Sequence, residues 1–255
     1  MFLPLEILQN AVMGIPPIAR LAGRYHRTGL NADQAAARQV FELYCRFEPV
    51  AEMDVLEIGP GQTLEVLEQA LAAGAKSCTA VDVVEYVPLD HAGRKRIDYR
   101  VYDGKHLPFA SEQFDCIWSH TAFEHLRYPK VTVMECFRLL RPGGRMVARV
   151  DLGDHSFYGR EVPSPWNLFH CLRYPAWLWR LMKWNRSSYV NRLRKSEWKR
   201  LFEEAGFVLH AEACSVSHEV DCALPGLTYL HKYSREDAVT AVLTVWLEKP
   251  ATAAP

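Results

Sequence analysis

A glycine turn and three acidic residues are the features of this sequence that could bind a ligand. Residues 57–61 read Glu-Ile-Gly-Pro-Gly directly after an apolar run, and the two glycines leave no Cβ between a ligand and the backbone. Asp82 and Asp103 end two further apolar runs. A carboxylate at position 82 can accept hydrogen bonds from both ribose hydroxyls, and one at position 103 can accept from an exocyclic amine of adenine. Because Glu57 opposes a pyrophosphate and Leu64 replaces the third glycine of a dinucleotide site, the pattern indicates a positively charged adenosine without phosphate.

Strands and helices alternate along the part of the chain that carries these residues. The predicted strands cover residues 54–58, 78–83, 97–102, 114–119, 145–152, 207–214 and 239–248. The predicted helices cover 33–48, 63–73, 130–140 and 196–205, and a further helix is expected to begin at Pro175. We expect a turn at residues 141–144 and a helix N-cap at Ser196. The apolar strands do not alternate with polar residues, which predicts a mostly parallel sheet with helices on both faces. Ligands bind such sheets at the carboxyl ends of the strands, where the three acids lie.

Further motifs follow in a fixed order. They are Val55 to Gly61, Val81-Asp82, Asp103-Gly104 with Leu107-Pro108-Phe109, residues 114–119 with Glu124-His125-Leu126 and Pro129, and Glu135 with residues 138–144. This set resembles the class I S-adenosylmethionine-dependent methyltransferases, in the type-11 or ubiquinone-biosynthesis-like branch. The resemblance covers about residues 52–152 and departs at Thr63, where the family often has a third glycine. It implies a doubly wound, Rossmann-like α/β fold whose seven-stranded, mostly parallel sheet has an antiparallel last strand between the fifth and sixth.

The resemblance also implies a cofactor, a reaction and a set of site residues. The cofactor is S-adenosyl-L-methionine, and its methyl group passes by in-line displacement to a small-molecule or lipid-like acceptor. The residues implied to bind the cofactor are Glu57, Gly59, Gly61, Asp82, Val83, Asp103, Gly104 and Ser119. His120 and His125, just beyond the fourth strand, are candidate general bases, which are needed only if the acceptor must lose a proton. His125 also fits a structural role bonded to the backbone, and no metal site is expected because the tetrahedral zinc pattern is absent.

The sequence divides into four parts. Residues 1–50 form an N-terminal helical segment, 51–152 the cofactor-binding Rossmann-like core, 153–195 a basic, aromatic insertion, and 196–250 a helix and strands that complete the sheet. The insertion contains eight basic residues and four tryptophans: Arg160, Arg173, Arg180, Lys183, Arg186, Arg192, Arg194, Lys195, Trp166, Trp177, Trp179 and Trp184. It fits a lid over the acceptor, a helix on a membrane surface, an RNA-binding segment or an ordinary packed subdomain. Tyr25 is a candidate for approaching the cofactor, and residues 224–237 are a candidate part of the acceptor pocket.

Composition narrows the function classes. The 255 residues carry 30 Lys+Arg and 30 Asp+Glu, so there is no strong nucleic-acid signal, and the seven cysteines are spaced singly, as in a reduced cytoplasmic protein. No apolar run approaches the ~20 residues of a membrane span, and no N-terminal signal or anchor is expected. The oligomeric state is not indicated. Two alternatives remain: a non-catalytic cofactor- or partner-binding module on this fold, and an NAD-dependent oxidoreductase, which Leu64 and Glu57 disfavour.

Overall fold

The computed structural model describes residues 3–15, 17–18, 34–155 and 165–251, which contain a seven-stranded sheet. Its strands are β1 (Asp54–Ile58), β2 (Ser77–Asp82), β3 (Ile97–Val101), β4 (Phe114–His120), β5 (Leu140–Asp151), β6 (Val208–Val216) and β7 (Thr240–Glu248). They are ordered β3-β2-β1-β4-β5-β7-β6 across the sheet. The first five strands are parallel, whereas β7 is antiparallel to both β5 and β6. The predicted α/β fold, with its antiparallel last strand inserted beside the fifth, is confirmed.

Ten α-helices occur among the described residues, and half of them are not predicted from the sequence. They are α1 (Leu3–Met13), α2 (Gln34–Tyr44), α3 (Glu65–Ala72), α4 (Leu89–Arg94), α5 (Pro129–Leu139), α6 (Pro165–Leu168), α7 (Ala176–Lys183), α8 (Lys195–Glu204), α9 (His218–Ala223) and α10 (Arg235–Val239). Helices α4, α6, α9 and α10 are too short to show an apolar period. Helix α1 is longer, but the sequence presents Glu6 and Asn10 as interruptions of an apolar run. Both face the insertion, where Glu6 pairs with Lys183 and Asn10 binds the Leu181 carbonyl.

Both faces of the sheet are buried. Successive strand residues point to opposite faces, so Ile117 packs with Trp198 and Phe202 of α8, while Trp118 packs on the other side with Tyr44 of α2 and the helix α3. The Tyr44 and Trp118 rings are stacked at 4.7 Å between centroids. The packing on both faces holds the parallel strands β1, β2 and β4 in place, so their carboxyl ends lie at one edge of the sheet.

A third apolar cluster joins the insertion to the segment before β7. Phe169, Trp179 and Met182 pack against Leu227 and Leu230, and the Trp179 indole donates a hydrogen bond to the Val190 carbonyl at 2.8 Å. The described part of the insertion is therefore a packed subdomain, and residues 224–237 belong to the same unit. Across the described ranges, no helix combines the length and apolar content needed to cross a membrane.

A buried arginine connects this subdomain to the sheet. Arg194 is fully buried, and its guanidinium donates to the carbonyls of Leu152, Asp237 and Thr240 at 2.6–2.8 Å and stacks over the Phe169 ring. The Leu152 carbonyl directly follows β5, the Asp237 carbonyl lies in α10 and the Thr240 carbonyl begins β7. The side chain satisfies buried acceptors from three elements that are distant in sequence.

Three predicted boundaries are wrong. Helix α2 ends at Tyr44 and not at residue 48. Strand β5 begins at Leu140 and not at residue 145. Its pairing with β4 passes from Leu140 to Arg145, so residues 141–144 form a bulge, and Gly143 and Gly144 bond to Lys249. Ser196 lies inside the first turn of α8 and not at its N-cap, since its hydroxyl and N–H both donate to the Asp237 carboxylate.

Candidate functional site

The glycine turn after β1 needs glycine for two reasons. Gly59 and Gly61 have φ values of +74° and +70°, in the region that disfavours side chains. A Cβ on Gly59 would lie 2.4 Å from the Cβ of Ala122, which follows β4. The Gly59 N–H donates to the Val81 carbonyl at 2.8 Å. The turn is therefore held between the ends of β2 and β4, and the close neighbour of Gly59 is the protein itself.

Asp82, the last residue of β2, closes the turn from the other side. Its Oδ1 accepts the Val83 N–H at 2.7 Å, and its Oδ2 accepts the Gly61 N–H at 3.3 Å. Burial raises the pKa of this carboxyl to about 6, against the lowering effect of these bonds. Because each carboxylate oxygen has two acceptor sites, both can still accept a hydroxyl of a ribose.

Glu57 contributes a second buried carboxyl next to Asp82. It is 4% exposed, and its Oε1 accepts from the Tyr44 hydroxyl at 3.4 Å. Its Oε2 has no hydrogen-bond partner in the part of the chain that the structure describes. Burial raises the pKa of Glu57 to about 8, the Tyr44 bond opposes this, and the nearby Asp82 adds to it. A buried oxygen without a donor, beside a second acid, suits a cationic group and opposes a phosphate.

Two predicted ligand residues lie at the open side of this cleft. Asp103 is exposed, and its Oδ1 accepts the N–H groups of Lys105 and His106 at 2.8 Å, which lower its pKa to about 2. It is therefore ionised at neutral pH. Gly104 has φ +79°, and a Cβ there would lie 3.5 Å from the exposed Val83 side chain. The residues from the ends of β2 and β3 thus meet at one mouth.

Ser119 lies deeper than the other predicted ligands. Its side chain is fully buried, and the hydroxyl donates to the Ile58 carbonyl at 3.0 Å. This bond ties β4 to β1 directly below the glycine turn. The hydroxyl positions the turn, and its contact with a cofactor stays a prediction.

The two candidate bases are both neutral at pH 7. Burial, with the Arg149 charge, lowers the pKa of His120 to about 4, and burial with His155 does the same for His125. The Nδ1 of His120 lies 3.3 Å from the Thr121 hydroxyl. The Nδ1 of His125 lies 2.7 Å from the Tyr189 carbonyl and is therefore the protonated nitrogen, which leaves a lone pair on Nε2.

The insertion holds the turn that carries His125. The Asn191 side chain donates to the carbonyls of Phe123 and Leu126, and the Asn191 N–H donates to the Glu124 carbonyl at 2.8 Å. The sequence gives no signal for these contacts, nor for the Tyr44 hydroxyl on Glu57, because the partners are far apart along the chain. Tyr25 and Arg160 lie outside the described residues.

Several basic residues of the insertion are used inside the protein. Lys183 and Arg186 pair with Glu6 of α1, Arg194 binds carbonyls, and Lys195 pairs with Glu212. These side chains are therefore engaged within the protein, as in the packed subdomain that was one of the four alternatives for this segment. Arg173 and Arg180 are exposed.

Comparisons with known proteins agree with this geometry. Residues 56–148 match a family described as "Methyltransferase domain". The chain is 29% identical over 119 residues to methyltransferase GfsG of Streptomyces halstedii, covering 44% of this chain and 43% of that protein. It is 32% identical over 102 residues to malonyl-[acyl-carrier protein] O-methyltransferase of Methylococcus capsulatus, covering 38% and 36%. Each curated relative is thus matched over less than half of its length.

A solved structure gives the same fold over more of the chain. An S-adenosylmethionine-dependent methyltransferase from Mesorhizobium loti superposes with a TM-score of 0.57 and 17% identity, covering 86% of this chain and all of that one. Likeness at this identity shows the fold. The sequence matches show that residues 56–148 are similar to a methyltransferase domain, and this structural match shows the fold on which that domain lies.

Proposed function

We propose that this chain transfers a methyl group from S-adenosylmethionine to a small-molecule or lipid-like acceptor by in-line displacement. The pair of buried carboxyls, Glu57 and Asp82, on adjacent strand ends beside the glycine turn carries the proposal. Such a pair suits a cationic nucleoside, and it disfavours the pyrophosphate of a nicotinamide cofactor. The domain match over residues 56–148 supports the same conclusion.

Each site residue has a role in holding the reactants. Asp82 binds the ribose hydroxyls, Glu57 faces the amino group of the methionine part, and Asp103 accepts from the adenine amine. Val83 and Gly104 form the mouth. When bound, S-adenosylmethionine supplies a methyl group on a sulfonium, which becomes a thioether as the acceptor atom takes the methyl. The chief contribution of the protein is to hold the two reacting atoms in line and in contact.

A general base is required only for an acceptor that carries a proton on the attacking atom. His120 at the end of β4 is our preferred base, since its imidazole is neutral at pH 7 and its Nδ1 lies 3.3 Å from the Thr121 hydroxyl, a weak contact. His125 is fixed by the Tyr189 carbonyl and is the second candidate.

Titration calorimetry with S-adenosylmethionine and S-adenosylhomocysteine tests the cofactor site. We expect Asp82→Ala to weaken binding by about 1–3 kcal/mol, because polar partners lose their hydrogen bonds. Asp98→Ala is the matched control, since Asp98 is exposed on β3 and pairs with Arg100. Absence of binding to the folded wild-type protein would refute the proposal, and NAD(H) binding in its place would favour the oxidoreductase.

Methyl transfer needs its own assay. Release of S-adenosylhomocysteine is followed with a panel that includes malonyl-acyl carrier protein, named for one relative, and a hydrophobic quinol. Product that depends on both acceptor and Asp82 supports the enzyme. Tight cofactor binding without product from any acceptor would favour a non-catalytic module.

We also propose that one surface contacts an anionic lipid membrane. Helices α1 and α7 pack together, and the outward side of the pair is apolar. We call this side the α1–α7 face. On it, Leu8 is 61% exposed and Trp177 is 67% exposed. Arg173 and Arg180 are also exposed and lie on the same segment as Trp177. Its exposed apolar residues are Leu5, Leu8, Val12, Ile15, Trp177 and Leu181. Apolar side chains spaced along one helix side, with arginine and tryptophan nearby, are typical of interfacial helices.

Co-sedimentation with phosphatidylcholine vesicles, with and without phosphatidylserine, tests this contact. We expect binding to the anionic vesicles, and Trp177→Ser or Leu8→Ser to weaken it about tenfold. Val216→Ser, which removes an exposed apolar side chain from the sheet edge, is the control. Equal binding by all three variants would contradict the proposal.

The seven cysteines are all free thiols. Free thiols throughout a chain of this size suit a reducing compartment. We therefore propose the cytoplasm as the location, with any membrane contact made from that side.

A further inference from the structure

Three side chains of the types that can ligate a metal ion meet beyond the ends of β4 and β5. Glu124 and His125 follow β4, and His155 follows β5, so they are close because the two strands are parallel neighbours. One ligand atom from each lies within 4.8 Å of the others. Asp154 beside them is buried, and His155 packs edge-on against the His125 ring, with 4.5 Å between the ring centroids.

The Glu124 carboxylate is a buried acceptor without a matching donor. Its side chain is 2% exposed, and neither oxygen has a hydrogen-bond partner among the described residues. The His155 Nε2 lies 3.9 Å from Oε1. Asp151 adds negative charge near this carboxyl, and Arg149 adds positive charge. Burying a carboxyl in this way is costly unless a ligand or ion compensates.

His125 already has the orientation of a metal ligand. Its Nδ1–H donates to the Tyr189 carbonyl, which fixes the ring and leaves the Nε2 lone pair available. Metal-bound histidines commonly donate their second nitrogen to a carbonyl or carboxylate in this manner. The carbonyl comes from the insertion, so the contact is invisible in the local sequence.

We propose that Glu124, His125 and His155 bind one divalent transition-metal ion of the Zn²⁺ class. Two imidazoles and one carboxylate favour such an ion over Mg²⁺ or Ca²⁺, which take oxygen ligands. Ligand atoms bound at about 2.0–2.2 Å in a tetrahedron lie about 3.3–3.5 Å apart, so the three atoms need to close by about 1 Å. Three protein ligands leave a position for water or for a donor atom of the acceptor. The binding of the ion does not depend on the proposed methyl transfer.

Metal titration tests the site without any activity measurement. The metal-depleted full chain is titrated with Zn²⁺ against a chromophoric chelator, and with Co²⁺ followed by visible absorption. We expect one saturable site per chain. His155→Gln and Glu124→Gln should each weaken binding by about tenfold or more, whereas His210→Gln, which changes an exposed histidine on β6, should not.

The outcomes separate this site from general metal affinity. No saturable binding, or equal affinity in wild type and His155→Gln, would overturn the proposal. Binding lost equally in the His210→Gln variant would identify adventitious histidine binding and also overturn it. Circular dichroism checks that each variant is folded; His155 is one-third exposed, so its replacement keeps the test valid if Glu124→Gln fails to fold. Cofactor calorimetry on the same samples shows whether the methyl-donor site is intact.

Discussion

The raised pKa of Glu57 makes cofactor binding depend on pH. With a pKa of about 8 in the free protein, about nine-tenths of the Glu57 side chains are protonated at pH 7. Pairing with an ammonium group requires the ionised form. We therefore expect binding of S-adenosylhomocysteine to release about 0.9 proton at pH 7 and to strengthen as the pH rises toward 8.

The size of the effect follows from the ionised fraction. This fraction rises from about 0.01 at pH 6 to about 0.24 at pH 7.5, so the affinity should rise about 25-fold, or about 1.9 kcal/mol. Below pH 7.5 the amino group of the ligand stays mostly protonated. Asp82, with a pKa of about 6, adds about a twofold rise over the same range, because half of it is protonated at pH 6.

Calorimetry in buffers of different ionisation enthalpy measures both quantities. Glu57→Gln is the matched variant, since it keeps the shape and cannot ionise. It should release almost no proton at pH 7 and retain only the twofold Asp82 effect. A wild-type protein that releases no proton and binds equally at pH 6 and 7.5 would show that Glu57 keeps its proton in the complex, and the pairing of this carboxylate with a cation would be refuted.

Three further predictions concern stability, measured by urea unfolding. The folded-state pKa of Glu57 lies above its unfolded value, so the folded protein holds an extra proton at pH values between the two. The free energy of unfolding should therefore fall as the pH rises from 5 to 8, and Glu57→Gln should flatten this slope. Gly143 has positive φ, and a Cβ there would make only an ordinary contact with Ala251 at 4.0 Å, so Gly143→Ala should cost about 1–2 kcal/mol. Gly59→Ala should cost about 1–3 kcal/mol more because its Cβ also collides, and equal losses would contradict the collision. Arg194→Met leaves three buried carbonyls without donors and should cost about 3–5 kcal/mol; a loss below 1 kcal/mol would show that the carbonyls find other partners.

The sequence predicts that the residues of the proposed cofactor site come together, because the signals for them are local. Glu57, Asp82 and Asp103 each end an apolar run, and the parallel order of the strands brings those ends together. The sequence does not show the steric reason for glycine at position 59. Its contact is with Ala122, which is far along the chain, and no local pattern shows that the two backbones meet.

The acceptor half is not readable in the same way. A basic residue has the same letter whether it faces solvent or a buried partner, so Lys183 and Arg194 both look like surface charge in the sequence. In the structure Lys183 pairs with Glu6 of α1. Arg194 binds carbonyls directly after β5, within α10 and at the start of β7. These contacts join segments about 40 to 180 residues apart, and their geometry depends on the whole packed subdomain.

The insertion therefore acts on the site mainly through the turn it holds. Asn191 binds both ends of the turn at Phe123–His125, and the Tyr189 carbonyl fixes the His125 ring. By contrast, Asp82 accepts hydrogen bonds from residues just after β1 and β2, and Glu57 accepts one from Tyr44 of α2. None of these partners belongs to the insertion. A change in the insertion can therefore alter the turn at Phe123–His125 while the contacts of Glu57 and Asp82 stay the same, because the two draw their supporting bonds from different elements.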